Sequence, residues 1–145
     1  MGRAIQDRPD LYKVAIMDVA VLNILRFENT PTGARVTSEI GTLKNKEDFP
    51  AIYEMDAYQH IKSGVNYPSL LLTTGINDPR VPSYMPGSFA AKMQGHNPNG
   101  NPILLKVDFE SGHFGASDPE VLYKENAAKT AFLLWQTGHP DFQPK

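Results

Sequence analysis

The sequence predicts an α/β fold of about three parallel strands with flanking helices, and three observations point to it. Mostly aliphatic runs recur at residues 12–21 (YKVAIMDVAV), 67–75 (YPSLLLTTG) and 101–109 (NPILLKVDF). Runs of this kind suit strands buried on both faces better than alternating, half-exposed ones. The segments between them are long and carry helical patterns, so the strands cannot be joined as hairpins and must cross over within a parallel sheet. The chain has 145 residues and no internal repeat, which allows one domain and no more.

Each element has its own signals. The first strand opens on Tyr12 after Arg-Pro-Asp and closes on Val21, and a Pro- and Gly-containing loop follows at 29–34. A helix is expected within 45–61, with Asn45 as its cap and acidic residues in its first turn. After the second strand, residues 84–94 carry Phe89 and Met93 at i,i+4 spacing, which reads as a helix. A loop rich in Pro, Gly and Asn at 95–102 leads into the third strand. The last helix is the clearest. Ser117 and Glu120 stand at capping-box spacing, Pro119 comes early, and Val121, Leu122, Ala128, Phe132 and Trp135 fall on one side before Gly138 stops it. Tyr84 and Trp135 are read as core or interface aromatics.

Composition narrows the function. Fourteen basic and sixteen acidic residues are scattered without runs, so neither nucleic acid nor an anionic membrane is an expected partner. There is no cysteine, which removes a thiol nucleophile and a thiolate metal site. His60, His96 and His139 have no H-x-x-x-H or H-E-x-x-H pairing, so no metal site is expected, and no cofactor. The first residues are polar and the apolar runs are far too short to span a bilayer, so the expectation is a soluble chain without a targeting signal.

In a parallel sheet, sites lie at the carboxyl ends of the strands. Asp78 and Arg80 sit just past the second run, and His113 just past the third, so all three are placed at one edge. Each residue has a plainer reading: His113 as a loop histidine, Asp78 as a turn former in Asn-Asp-Pro, and Arg80 as a surface charge.

Residues 67–94 and 102–115, with GINDPRV and FESGHFG at their centres, resemble the carboxyl-terminal part of the catalytic domain of the prolyl oligopeptidase family, serine peptidases on the α/β-hydrolase fold. The resemblance runs from GRAIQDRPDLY to the terminal helix. It implies that Asp78 and His113 are the triad aspartate and histidine, and that Arg80 holds a substrate carbonyl. It also implies that the nucleophile elbow lies shortly before Met1, because GRAIQDRPDLY matches the helix that follows the elbow. None of the seven serines stands in G-x-S-x-G, the sharp turn that exposes such a nucleophile.

The chain is therefore expected to be a single partial α/β-hydrolase domain over 1–145, truncated after the elbow. The oxyanion donor beside the serine, the earlier strands and the β-propeller of the family would be missing. Peptidase activity is expected to be lost, because it needs nucleophile, oxyanion hole and positioning together. The Asp78–His113 pair could still activate water, giving weak, promiscuous hydrolysis of activated esters or phosphoesters. Ser111 is the candidate surrogate nucleophile. An exposed edge on the first strand, 12–21, is expected to recruit a second copy and complete the sheet as a homodimer. The alternatives are a catalytically silent self-associating fragment and a binding module that offers this edge to a partner strand.

Overall fold

Strand burial follows position in the sheet. A computed structural model describes residues 1–97 and 100–144, and it holds three strands: β1 (Val14–Asp18), β2 (Ser69–Gly75) and β3 (Ile103–Asp108). They are all parallel, in the order β1-β2-β3. The expected parallel crossover topology is thus present, and each strand is shorter than its aliphatic run. Only β2 is buried on both faces. The expectation that all three runs are doubly buried is corrected: β1 alternates and most of β3 is half or fully exposed. Among the described residues only the central strand has a neighbour on each side, and Leu104 and Leu105 of β3 are 40% and 37% exposed.

Among the described residues five α-helices flank the strands: α1 (Gly2–Asp7), α2 (Thr37–Ile40), α3 (Phe49–Met55), α4 (Tyr84–His96) and α5 (Pro119–Thr137). Strand side chains alternate between faces, and Ala15, Met17, Leu70, Leu72 and Ile103 share one core with Phe89, Ala90 and Met93 of α4 and Ile5 of α1. Leu70, Leu72, Phe89 and Met93 are fully inaccessible. Burying each such side chain stabilises the fold by about 1.5–3 kcal/mol. The opposite face carries α5, where Ser69 donates its hydroxyl hydrogen to Gln136 over 2.6 Å.

Two helix starts differ from expectation. Asn45 does not cap α3. Its carboxamide accepts from the Glu47 N–H and donates to Asp48, forming a turn, and the helix begins at Phe49 with Pro50 in its first turn. It ends at Met55, because the buried Asp56 carboxylate accepts from the N–H groups of Leu25 and Gln59. At α5 the cap is Asp118, one residue past Ser117, and its carboxylate accepts from the Glu120 N–H at 2.8 Å. Pro119 then occupies the first helical position, where its missing N–H costs nothing. Gly138 ends α5 in the left-handed conformation, as expected. Of the expected apolar side of α5 only Phe132 is buried, whereas Val121 and Leu122 are 40% exposed. Residues 98 and 99 of the expected loop at 95–102 lie outside the described residues.

The carboxyl end of β1 is tied to α5 by Lys129, whose ammonium lies 2.9 Å from Asp18. Burial alone would raise the Asp18 pKa, but hydrogen bonds from Thr73 and Lys129, with the Lys129 charge, outweigh it and hold the carboxyl below its ordinary value. A depressed carboxyl stabilises the fold above its unfolded pKa of about 3.9, and that contribution disappears as pH falls through the lower folded value. Because both groups are partly solvated, the pair contributes about 0.2–1 kcal/mol. Urea unfolding of wild type and Lys129→Met should differ by this amount at neutral pH. The gap should close well below the ordinary carboxylate range; a gap independent of pH would remove Asp18 from the explanation.

Candidate active site

Two loops leave the carboxyl edge of the sheet side by side, and backbone bonds join them. After β2 the Ile76 N–H donates to the Asp108 carbonyl at 2.8 Å, and the Asn77 N–H to the Ser111 carbonyl at 3.2 Å. The Asn77 carboxamide adds a bond to the Glu110 carbonyl. This approach requires glycine at position 75, where a Cβ would stand 2.4 Å from the Ser111 carbonyl oxygen. On the second loop Asp108 accepts from the N–H groups of Glu110 and Ser111. Gly115, at φ 75°, then turns the chain back on Gly112.

The joined loops bring Asp78 and His113 together. His113 Nδ1 lies 2.9 Å from Asp78 Oδ2, and the Asp78 side chain is wholly inaccessible while that of His113 keeps 19% exposure. The other carboxylate oxygen, Oδ1, accepts from the N–H groups of Arg80 at 2.7 Å and Val81 at 2.9 Å. Turn and dyad are therefore served by one carboxylate: one oxygen fixes its own loop, and the other faces the imidazole. With Nδ1–H donated to Asp78, Nε2 is left as the basic nitrogen, the arrangement in which a histidine accepts a proton from a nucleophile.

The Asp78 loop is backed by a second apolar cluster in which Phe27, Val81 and Met85 are buried, with Ile24 and Val36 against them. Thr32 donates its hydroxyl hydrogen to the Pro79 carbonyl, so the irregular stretch between β1 and α2 helps to hold this loop. Beside His113 is a cavity of about 210 Å³ lined by Asp18, Val19, Lys106, Glu125 and Lys129, among others. Val19, at φ 43°, is a β-branched residue in a region such residues rarely enter. Strain of this type, about 1–3 kcal/mol, gathers at functional sites.

The remaining candidate residues fall as follows. Arg80 is exposed, and its guanidinium carbon stands 4.8 Å from the centre of the Phe114 ring. Phe114 is 80% exposed and meets His113 edge-on at 5.1 Å between ring centres. Ser111 is buried. Its hydroxyl first, then the Glu110 N–H, hold the Asp108 carboxyl below the usual carboxylate range, against a smaller opposing effect of burial. Among the described residues Ser111 makes no hydrogen bond to His113. His60 and His96 bond through Nδ1 to the carbonyls of Asp56 and Lys92, and His139 Nδ1 accepts from the Asp141 N–H. Among the described residues no three His, Cys, Asp or Glu side chains converge, and no helix is long and apolar enough to cross a membrane. Neither Phe114 nor Gly75 is marked by a motif in the sequence. Gly75 closes the apolar run before GINDPRV, and only the spatial approach of the second loop gives it meaning.

The profile of the Prolyl oligopeptidase family matches residues 1–140. The chain is 32% identical over 139 residues to a prolyl endopeptidase of Elizabethkingia miricola, covering 95% of this chain and 20% of that protein. Among solved structures, oligopeptidase B of Leishmania major superposes with a TM-score of 0.89 at 28% identity, over 94% of this chain and 19% of its own. Oligopeptidase B of Trypanosoma brucei, solved in a closed form with covalently bound antipain, gives a TM-score of 0.87 at 31% identity, over 92% of this chain and 19% of its own. The chain thus spans about a fifth of the length of these relatives.

Proposed function

This chain belongs to the prolyl oligopeptidase family of hydrolases, and from that premise we propose that Asp78 and His113 are the acid and base of a serine-hydrolase triad. The single observation that carries the proposal is the 2.9 Å contact between His113 Nδ1 and a fully buried Asp78 carboxylate. In this reading His113 Nε2 takes a proton from the attacking oxygen, Asp78 stabilises the imidazolium that forms, and Arg80 holds a substrate carbonyl.

The 145 residues contain no G-x-S-x-G. Acting by themselves they would therefore use water as the nucleophile, with His113 as general base. General-base help is worth about 10²–10⁴ in rate, enough for activated carboxylic or phosphate esters and too little for a peptide bond. Among the described residues β1 pairs on one side only, and for these 145 residues by themselves that edge further suggests self-association, with β1 pairing across a two-fold axis. Should His113 contribute nothing, that same edge favours the second reading, a silent self-associating fragment.

The test is hydrolysis of activated carboxylic and phosphate esters by wild type and His113→Ala, with and without chelator, after sedimentation has established the oligomeric state of both. Activity in wild type that is lost in the variant at unchanged assembly is the expected result. Equal activity in both proteins removes the dyad from the chemistry, a chelator-sensitive rate points to a metallohydrolase instead, and a stable monomer rejects the dimer.

A further inference from the structure

Phe114 follows His113 directly and is 80% exposed. It touches both polar members of the site. The Arg80 guanidinium lies 4.8 Å from the ring centre, and His113 meets the ring at an interplanar angle of 83°. Among the described residues Arg80 forms no salt bridge. Its backbone N–H is fixed on Asp78, so Asp78, Arg80, Phe114 and His113 close a ring of contacts.

The kind of contact matters. A carboxylate partner would pair with the in-plane N–H donors of the guanidinium and neutralise its charge. An aromatic ring offers no acceptor oxygen, so beside it the guanidinium keeps its charge and its donors are not paired to a carboxylate. From this we infer that Phe114 is a positioning residue for Arg80, holding it beside His113 with its donors open to a carbonyl or carboxylate of the substrate. The inference rests on the dyad reading above and deepens it. An ester with a second carbonyl besides the one attacked, such as that of an N-acylated amino acid, therefore reports on the Phe114 contact, and a simple acetate ester does not.

The experiment compares wild type, Phe114→Leu, Phe114→Tyr, Arg80→Ala and the double variant Phe114→Leu/Arg80→Ala. The substrates are the p-nitrophenyl esters of acetic acid and of an N-acetylated amino acid. Loss of a cation–π contact at an exposed site should raise KM for the N-acetylated ester about two- to fivefold. The KM for the acetate, which offers Arg80 no second carbonyl, should change less than that for the N-acetylated ester. Phe114→Tyr should restore the wild-type value, and Phe114→Leu should have no further effect once Arg80 is gone. Equal effects on the two esters, no effect on either, or an effect that persists without Arg80 would overturn the inference.

A second readout separates this inference from the dyad reading. The δ-protons of Arg80 should be shifted upfield by the Phe114 ring in the NMR spectrum of wild type and of His113→Ala, and should return to ordinary values in Phe114→Leu. If His113→Ala is as active as wild type, the dyad reading fails and this shift alone decides whether Phe114 positions Arg80. An unchanged Arg80 shift in Phe114→Leu overturns the stack whatever the activity shows.

Discussion

Asp78→Asn is expected to lower ester hydrolysis by about 10² or more, most of the general-base contribution, while leaving the protein folded. Asparagine keeps the shape of the side chain, and its carbonyl oxygen can still accept the Arg80 and Val81 N–H groups that now bond to Oδ1 at 2.7 and 2.9 Å. The carboxamide NH₂ must then face His113 Nδ1, where it donates rather than accepts. The imidazole is driven to the opposite tautomer, with its proton on Nε2, and the nitrogen aimed at the reacting oxygen loses its lone pair. The negative charge that stabilises an imidazolium is lost as well. Hydrolysis assayed beside a thermal unfolding curve checks both halves: the rate should fall, and the midpoint should move little. A variant that retains its rate would show that His113 needs no partner.

Gly75→Ala is expected to be the most damaging small substitution in the site. The added methyl would stand 2.4 Å from the Ser111 carbonyl oxygen and 2.7 Å from that of Gly112. Both are backbone atoms held in the second loop, so neither can swing away as a side-chain tip could. The loops would be forced apart, the Asn77 to Ser111 hydrogen bond would stretch, and His113 would be carried away from Asp78. Overpacking of this kind costs about 1–3 kcal/mol, and activity should fall with it. Gly95→Ala is the matched control. Gly95 lies in α4, and no atom is within 4 Å of its added Cβ, so alanine there should stabilise the helix by about 0.5–1 kcal/mol. Urea unfolding of the two variants should therefore move in opposite directions.

The sequence made the sheet legible because strand character rests on local runs of aliphatic residues, and the long intervals between runs leave a parallel crossover as the economical connection. The placement of Asp78 and His113 followed from their positions just past two strand ends, and the structure brings the two side chains into contact. Gly138 was legible for a similar local reason, since a left-handed stop needs glycine.

Other features depend on competition or on through-space neighbours. Ser117 and Asp118 are both good caps, and Pro119 decides between them by taking the first helical position. Asn45 lost its cap role to a turn with Glu47 and Asp48. The exposure of Leu104 and Leu105 depends on what lies beside β3, which no periodicity within β3 records. The Phe114 stack joins two loops far apart in the chain, so FESGHFG alone carried no sign of it.

The most direct test of the Asp78–His113 dyad is the long-range proton–nitrogen NMR spectrum of the His113 ring, taken where the ring is neutral, for wild type and Asp78→Asn. A proton fixed on Nδ1 and a bare Nε2 are expected in wild type, with the assignment reversed in the variant. A wild-type ring already protonated on Nε2, or one that spectrum and variant alike show to be indifferent to Asp78, would contradict the dyad.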